Sequence, residues 1–330
     1  MSERAVAEAA GAVGCGRMGR GIAAAYAMAG QSFVLIDLRD RTPEARNALH
    51  ASVRADLSAI FEQLSSLGLA TADQIDRMLE RVKVVDRSDA ASALRQITLL
   101  FEAVPETLEA KREALRAVSS HLPATAFLAS TSSTMLASEL AGMVERLDRF
   151  LNAHWLNPAY LIPLVEVAPH SATAKWARDR MMVALSAVSK VPVLCGDQPG
   201  YIVPRLQALI MNEAARMVEQ GAATAEEIDK AVRYGFGLRY AAMGVVEFID
   251  FGGVDILFHG SRYLAARHGD ARYESPVIVD RHMAADELGI KTGKGFYDWP
   301  QEKARAFQKE ATQRLVRLLR LAGVEPRCQA

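Results

Sequence analysis

The stretches Gly14-Cys-Gly-Arg-Met-Gly19 and Phe33-Val-Leu-Ile-Asp37 decide the fold of this chain. The first fits the pattern G-x-G-x-x-G, and residues 22–29 continue it as a helical pattern of small residues. In this pattern the first glycine permits a tight turn, the second lets a phosphate approach the backbone, and the third lets the helix pack against the preceding strand. The second stretch is an apolar strand that ends in a carboxylate. Together they predict a dinucleotide-binding unit.

The helix after the glycine turn is expected to bind the pyrophosphate, because its first turn offers free N–H groups and a partial positive charge. Asp37 is placed to accept hydrogen bonds from an adenosine ribose and to repel a 2′-phosphate, which favours NAD over NADP. Arg39 and Arg41 keep NADP open, and a purely structural turn is the simpler alternative. The predicted cofactor contacts from this region are Gly14, Gly16, Arg17, Met18, Gly19 and Asp37.

Short apolar runs alternate with longer helical patterns over the first two-thirds of the chain, which is typical of a parallel sheet covered by helices. The first predicted strand, which ends at Val13, is poor in the β-branched residues that buried strands favour. Residues 44–81 interrupt the alternation with two helical segments and predict a helical hairpin. The other predicted strands are residues 33–36, 82–85, 97–101, 127–129, 150–153, 164–167 and 191–194.

The pattern changes after Pro199. Residues 201–220 predict one amphipathic helix that ends at Gly221, Thr224-Ala-Glu-Glu227 predicts a capping box, and a charged helix is expected near residues 300–322. The predicted fold is therefore an α/β Rossmann-type parallel-sheet domain with a helical hairpin insertion, residues 1–196, followed by an all-α domain, residues 197–330.

Composition narrows the class of protein. Among 330 residues, 39 Lys and Arg balance 39 Asp and Glu, which argues against nucleic acid or a membrane surface as the main partner. The three cysteines Cys15, Cys195 and Cys328 are sparse and odd in number, which favours a reducing compartment without disulfides. We see neither a signal-peptide pattern nor a membrane-spanning run, and no histidine cluster with metal-ligand spacing. We expect a cytoplasmic protein with a small-molecule substrate and no metal.

Residues 149–166, Arg149-Phe-Leu-Asn-Ala-His-Trp-Leu-Asn-Pro-Ala-Tyr-Leu-Ile-Pro-Leu-Val-Glu166, carry the candidate chemistry. His154 ends one apolar run and Glu166 lies within the next, with two prolines between them. A buried carboxylate that fixes a histidine tautomer and supports its protonated form makes a general base near neutral pH. The simpler alternatives are a buried structural histidine and an ordinary salt-bridge glutamate.

Several segments resemble the L-3-hydroxyacyl-CoA dehydrogenase family, in order and over nearly the whole chain. The resemblance implies an NAD-binding domain followed by a helical domain that forms a homodimer. The segments are residues 14–23, Phe101-Glu-Ala-Val-Pro-Glu106, Ser130-Thr-Ser-Ser133, His154-Trp-Leu-Asn-Pro158, Leu164-Val-Glu166, Asp197-Gln-Pro-Gly-Tyr-Ile202 and Gly289-Ile-Lys-Thr-Gly-Lys-Gly-Phe-Tyr297.

The resemblance also implies roles for individual residues. His154 is the expected general base, which takes the proton of the C3 hydroxyl while hydride leaves C3 for nicotinamide, and Glu166 orients it. Ser133 is expected to hydrogen-bond the substrate oxygen, and Asn157 to position the substrate carbonyl. Glu106 and Lys111 match residues beside the nicotinamide ribose.

The chain departs from the family at Thr131 and Pro204, where an asparagine is common. A further departure bears on substrate, because acyl-CoA enzymes often carry lysines in the helical hairpin and residues 44–81 here have none. Their net charge is 4 − 6 = −2, a poor landing surface for a polyanion. The four basic residues are Arg46, Arg54, Arg77 and Arg81, and the six acids are Glu44, Asp56, Glu62, Asp73, Asp76 and Glu80.

Two segments, 157–170 and 237–244, resemble the branch with L-gulonate 3-dehydrogenase (lambda-crystallin) and carnitine dehydrogenase, which act on free hydroxy acids. In that case Arg239 is the candidate clamp for a substrate carboxylate. Lys291-Thr-Gly-Lys-Gly-Phe-Tyr297 resembles the acyl-CoA branch instead. The leading expectation is NAD-dependent interconversion of a short L-3-hydroxyacyl-CoA, such as 3-hydroxybutyryl-CoA, and its 3-keto form. The alternatives are the same chemistry on a free 3-hydroxy acid and a non-catalytic NAD-binding structural or regulatory protein.

Overall fold

The computed structural model describes residues 8–326. Cys328 and the segment before residue 8, on which the expectation about a signal peptide depends, lie outside these residues. The chain divides into two compact units, Met1–Ile210 and Met211–Ala330. The predicted boundary at residues 196 and 197 stays a prediction.

The N-terminal unit contains one eight-stranded sheet, with strand order β3-β2-β1-β4-β5-β6-β7-β8. Every neighbouring pair is parallel except β6 and β7, which are antiparallel. The predicted fold class, a Rossmann-type parallel-sheet domain followed by a helical domain, is confirmed, and the one antiparallel pair is a detail that the prediction did not contain. Residues 156–163 form a connection too short for the crossover that a parallel pair requires. The strands are β1 Ala10–Val13, β2 Phe33–Ile36, β3 Val82–Val85, β4 Leu99–Glu102, β5 Phe127–Ser130, β6 Phe150–Trp155, β7 Leu164–Pro169 and β8 Val191–Leu194.

Helices cover the sheet, and the hairpin predicted at residues 44–81 is present as α2 and α3. In the N-terminal unit they are α1 Arg17–Met28, α2 Pro43–Ser66, α3 Ala72–Glu80, α4 Arg87–Leu94, α5 Leu108–Ser119, α6 Ala137–Ala141, α7 Lys175–Ala187 and α8 Val203–Glu219, whose later residues belong to the C-terminal unit. The C-terminal unit continues with α9 Ala225–Lys230, the π-helix Ala231–Gly237, α10 Leu238–Ala242, α11 Val245–Gly252, α12 Val254–His268, α13 Val277–Ala284 and α14 Gln301–Leu321. Two short 3₁₀ turns, Leu147–Arg149 and Ala271–Tyr273, complete the elements.

Strand β1 shows why small residues suffice at the centre of the sheet. It pairs with β2 on one side and β4 on the other, and all four of its residues are buried. A Cβ on Gly11 would lie 2.7 Å from Ile97 Cδ1 and 2.8 Å from the Val34 carbonyl oxygen. Because neighbouring side chains already fill this space, the strand needs little side-chain volume of its own.

The core lies on both faces of the sheet. One face packs an aromatic row in which Tyr26 contacts Phe33 and Phe101 contacts Trp155 edge-on, with ring centroids 4.8 and 5.6 Å apart. The other face is packed by aliphatic side chains and Phe150. Both ends of β6 are thereby fixed, and this strand carries His154.

The C-terminal unit is organised around a buried carboxylate. Asp250 accepts hydrogen bonds from the backbone N–H groups of Phe296 and Tyr297 and from the Trp299 indole. A Cβ on Gly295 would lie 2.3 Å from Asp250 Oδ1, so this glycine permits the close approach. None of the helices between residues 8 and 326 is both long and apolar enough to cross a membrane.

Candidate active site

The antiparallel pairing of β6 and β7 places His154 directly opposite Glu166. Their side chains meet, with His154 Nδ1 2.7 Å from Glu166 Oε2. Glu166 is fully buried, whereas His154 is 5% exposed and lines a cavity of about 1050 Å³. The register of one strand pair therefore creates the dyad and turns the imidazole toward the cavity.

Glu166 is held ionised by three donors. Its second oxygen, Oε1, accepts the backbone N–H groups of Ile202 at 2.8 Å and Val203 at 2.7 Å. Burial raises the pKa of the Glu166 carboxyl, but the hydrogen bonds from His154, Val203 and Ile202 outweigh it and hold that pKa below its usual value. An ionised carboxylate only accepts, so His154 Nδ1 donates and the lone pair of the neutral ring lies on Nε2, the nitrogen that a general base uses.

The start of α8 explains how Pro204 fits beside this carboxylate. The first N–H groups of a helix have no partner within the helix. Here those of Ile202 and Val203 bind Glu166, Pro204 has none to satisfy, and that of Arg205 binds the Gly200 carbonyl at 2.9 Å. The proline is therefore compatible with the helix start, although it supplies no amide side chain of the kind common in the family.

The glycine turn lines the same cavity as His154. Gly14 has φ of +110°, and a Cβ there would lie 2.5 Å from the Ala103 carbonyl oxygen. A Cβ on Gly19 would lie 2.1 Å from the Gly14 carbonyl oxygen, so helix α1 can pack this close to the turn only because residue 19 is glycine. Around the Cβ position of Gly16 there is nothing within 4 Å, and no side chain caps the N-terminus of α1. The turn thus leaves open space in front of free N–H groups, which fits a pyrophosphate.

Asp37 lies at the carboxyl end of β2 and lines the cavity together with Arg17, Met18 and three more arginines. Its carboxylate forms an ion pair with Arg41, which raises the pKa of that guanidinium. Arg87 donates to the Leu38 carbonyl oxygen at 3.0 Å, and Arg39 is exposed. The contact of Asp37 with the ribose stays a prediction.

Glu106 and Lys111 belong to a hydrogen-bond network that includes Glu102 and Ser132. Lys111 is fully buried, with Nζ 3.0 Å from Glu106 Oε2 and 3.0 Å from Glu102 Oε2. Glu106 lines the cavity and accepts from the Ser133 backbone N–H at 3.1 Å. Burial raises the pKa of the Glu106 carboxyl, but the hydrogen bond from Ser132 and the charge of Lys111 together outweigh it, so this pKa lies below its usual value. In the described residues, Lys111 reaches the cavity through Glu106.

The remaining predicted residues differ in placement. Ser133 lines the cavity with His154. Asn157 is exposed and follows His154 by three residues, at a cis peptide bond to Pro158. Arg239 lies in the C-terminal unit, where its Nε donates to the Gly235 carbonyl oxygen at 2.7 Å and its guanidinium lies over Phe248. The substrate roles of these three residues stay predictions.

Sequence reasoning missed the residues that hold this site together. Glu102 is fully buried and accepts from Ser130 Oγ at 2.7 Å, and Ser132 Oγ donates to Glu106. Asp197 accepts the N–H groups of Ala137 and Ser138 at the start of α6. A signal was available for Glu102, because a charged residue that ends an apolar strand faces the edge where parallel sheets bind ligands.

Two cysteines near the site are poor nucleophiles. Burial, together with the charge of Asp37, raises the pKa of the Cys15 thiol to about 12. Burial also raises the pKa of the Cys195 thiol to about 11. Thiolates are the reactive form, so neither side chain is activated for covalent chemistry. Among residues 8–326, no group of three or more His, Cys, Asp or Glu side chains is arranged to hold a metal ion.

Comparison with known proteins agrees with this geometry. The family model for the 3-hydroxyacyl-CoA dehydrogenase NAD binding domain matches residues 9–198, and that for the 3-hydroxyacyl-CoA dehydrogenase C-terminal domain matches residues 200–299. A 3-hydroxyacyl-CoA dehydrogenase structure from Archaeoglobus fulgidus has a TM-score of 0.75 and 29% identity, and the match covers 96% of this chain and 100% of that one.

Two curated relatives act on different kinds of substrate according to their names. A 5-formyl-3-hydroxy-2-methylpyridine 4-carboxylate 5-dehydrogenase of Mesorhizobium japonicum is 27% identical, over 94% of this chain and 96% of that protein. A probable 3-hydroxybutyryl-CoA dehydrogenase of Bacillus subtilis is 28% identical, over 88% and 96%. With both family models matched, the chain belongs to the 3-hydroxyacyl-CoA dehydrogenase family and is an NAD-dependent oxidoreductase that acts on a CH–OH group.

Proposed function

We propose that this enzyme interconverts a short L-3-hydroxyacyl-CoA and the corresponding 3-ketoacyl-CoA, with His154 as general base. The observation that carries the proposal is the hydrogen bond of 2.7 Å between His154 and a fully buried Glu166, because His154 lines the same cavity as the glycine turn. A candidate proton acceptor and a turn that fits a dinucleotide thus line one cavity, which supports the proposal.

In this mechanism, His154 Nε2 accepts the proton of the C3 hydroxyl group. Glu166 keeps the other proton on Nδ1 and stabilises the imidazolium that forms, because its negative charge is buried beside the ring. NAD, when bound, accepts the hydride from C3. Ser133 lines the cavity and is the side chain proposed to donate a hydrogen bond to the substrate oxygen. In the reverse direction His154 returns its proton to the developing alkoxide.

The test of the base is His154→Gln. This variant should lose turnover by at least about 1000-fold, since the proton acceptor is gone while the glycine turn is unchanged. NADH binding, followed by fluorescence titration, should stay within about two-fold and serves as the control for folding. Full activity of the variant would contradict the proposed mechanism.

A specific observation favours a free 3-hydroxy acid as second candidate substrate. The hairpin α2–α3 has no lysine, and one of its acids, Asp56, forms an ion pair with Arg20 of α1 rather than with a hairpin arginine. Arg239, exposed in the C-terminal unit, is the residue proposed to hold a substrate carboxylate in this case.

Absorbance assays separate the two substrates. Acetoacetyl-CoA should support oxidation of NADH if the leading proposal holds, and free acids such as L-gulonate or carnitine should give little reduction of NAD. The opposite result, with a free acid turned over and acetoacetyl-CoA inert, would replace the leading substrate by the second one. Arg239→Ala should then raise the KM of the free acid by at least about ten-fold, the loss expected when a charged hydrogen bond is removed.

We also propose that the protein is a homodimer. Helix α8 has no buried residue, and large apolar side chains on it are exposed, namely Leu206, Leu209, Ile210, Met211 and Val218. Apolar surface of this kind is typical of an interface. Light scattering should give twice the mass of 35.9 kDa, and a monodisperse monomer would refute the proposal.

A further inference from the structure

Tyr201 packs against the proposed general base and has no part in the proton transfer proposed for His154. Its ring is stacked on the His154 imidazole, with centroids 5.7 Å apart and planes inclined by 30°. The side chain is 4% exposed, and its hydroxyl donates to the Met135 carbonyl oxygen at 2.9 Å. The hydroxyl end of this side chain is therefore held by Met135, two residues after Ser133, and its ring lies against a face of the His154 imidazole.

The backbone at this position is unusual. Gly200 has φ of +76° and Tyr201 has φ of +43°. A bulky residue other than glycine seldom occupies this region, because its Cβ approaches a carbonyl oxygen. Such a conformation persists only where the surroundings hold it, and it is concentrated at functional sites. Here the anchoring contacts are the hydroxyl bond to Met135 and the Arg205 N–H bond to Gly200.

The same turn also holds the partner of His154. The residues that follow Tyr201, Ile202 and Val203, donate their N–H groups to Glu166. Three consecutive residues thus contact both members of the dyad, one through an aromatic ring and two through the backbone. A side chain that only filled space would need neither the strained φ nor this register with the carboxylate.

We propose that Tyr201 is a positioning residue for the general base. Its ring keeps the imidazole in the plane in which Nδ1 faces Glu166 and Nε2 faces the cavity. After proton uptake, the face of the ring stabilises the positive charge of the imidazolium, as aromatic faces do for other cations. The role in turnover rests on the proposed function of His154, whereas the placement of the ring is independent of it.

The experiment compares Tyr201→Phe, which keeps the ring, with Tyr201→Asn, which removes it. Asparagine tolerates positive φ better than other residues with a side chain, so the turn should be preserved. Tyr201→Gly is the substitute if the asparagine variant does not bind NADH. The first measurement is the ¹⁵N–¹H correlation spectrum of histidine-labelled protein, in which His154 is assigned by its loss in His154→Gln.

In the parent enzyme and in Tyr201→Phe, His154 should show one neutral tautomer, protonated on Nδ1. In Tyr201→Asn it should show averaged tautomers and lose the ring-current shift. The second measurement is turnover. Tyr201→Asn should reduce kcat by about 10- to 100-fold with unchanged NADH affinity, because misplacement of a catalytic group has effects of this size. Tyr201→Phe, which keeps the ring, should retain most of the kcat of the parent enzyme.

The deuterium isotope effect on kcat, with substrate labelled at C3, should increase in Tyr201→Asn if its chemical step has become slower. A ringless variant with the parent tautomer signal and kcat within two-fold would overturn the inference. An equal loss in Tyr201→Phe and Tyr201→Asn would overturn it as well, since the hydroxyl and not the ring would then matter. If no substrate is turned over by the parent enzyme while the spectra behave as expected, the proposed function fails and the placement of His154 by Tyr201 is supported.

Discussion

Two parts of the site, the chemical end and the cofactor end, are built in different ways. At the chemical end, defined as His154, Glu166 and the turn 200–203, every polar contact of the carboxylate is internal and Glu166 has no exposed surface. At the cofactor end, defined as Gly14–Gly19 and Asp37, the turn presents backbone groups to open space. The chemical end has its partners within the protein. At the cofactor end Asp37 is paired with Arg41, but the N-terminus of α1 has no side-chain cap and is left for a ligand.

This difference has a physical reason. A general base must hold one tautomer before the substrate arrives, so its partner is desolvated and fully hydrogen-bonded in advance. A cofactor must enter and leave, and its phosphates need N–H groups that have no competing partner. Changes at the chemical end should therefore affect turnover or folding, and changes at the cofactor end should affect ligand affinity.

The largest effect is expected for Glu166→Gln. The amide oxygen can still accept from Ile202 and Val203, but the amide NH₂ then faces His154 Nδ1 and favours the proton on Nε2. We expect kcat to fall by about 10³- to 10⁴-fold, as for other carboxylates that fix a histidine tautomer. Stopped-flow measurement of NADH oxidation tests this, with NADH affinity as the control. A loss of affinity without loss of kcat would contradict the division into two ends.

A second effect concerns Lys190, which supports the connection between β6 and β7. Its Nζ donates to the carbonyl oxygens of Ala159 and Ile162, and burial lowers the pKa of this lysine from 10.5 to about 8. Between these pH values the folded state releases the proton while the unfolded state keeps it, so stability rises with pH in this window. Over that interval the parent should gain up to about 3 kcal/mol relative to Lys190→Met.

Urea unfolding of both proteins between pH 7.5 and pH 10.5 measures this difference, in steps of about half a pH unit to resolve the window. The comparison with Lys190→Met cancels the titration of all other groups that the two proteins share. A difference in unfolding free energy that stays constant with pH would show that Lys190 is not desolvated as its burial indicates.

Asp37→Ala should act only on the cofactor end. Removal of the carboxylate that we propose to bind the ribose should weaken NADH binding by about 10- to 100-fold, the range for loss of hydrogen bonds to a charged acceptor. The affinity for NADPH should rise, because the negative charge no longer repels a 2′-phosphate. Isothermal titration with both nucleotides tests this. Unchanged NADH affinity would place the ribose elsewhere.

The smallest effect is expected for Arg41→Ala, the matched variant at the same end. Arg41 pairs with Asp37 near the surface, and pairs of this kind contribute about 0–1 kcal/mol. NADH affinity should change by less than about five-fold, which is that free energy expressed as a ratio. A larger loss in the same titration would show that Arg41 itself contacts the nucleotide.

Much of the fold could be read from local patterns. Strands β2, β3 and β8 begin and end at the predicted residues, and the hairpin α2–α3 lies where its helical periodicity indicated. The residues of β1 have weak β-strand propensity, but pairing with β2 on one side and β4 on the other stabilises the strand. The antiparallel direction of β7 was not predicted, although residues 156–163 are too few for the crossover of a parallel pair, because the alternation of apolar runs carries no information on strand direction.

The residues of the site were likewise predictable only where their signal was local. His154 and Glu166 stand out in sequence because a charged residue within an apolar strand needs a partner. The burial of Lys111 between Glu102 and Glu106 depends on how α5 packs beside the end of β4, and the stack of Tyr201 on His154 joins elements distant in the chain. Neither contact left a local pattern.

The sequence by itself determined the glycine turn, the carboxylate at the end of β2 and the types of residue in the dyad, because these depend on backbone conformation and on side-chain chemistry over a few residues. Only the tertiary structure decided that β6 and β7 run antiparallel with His154 opposite Glu166, and that the start of α8 donates to that glutamate. These facts depend on register and packing between separate segments, which a local pattern does not contain.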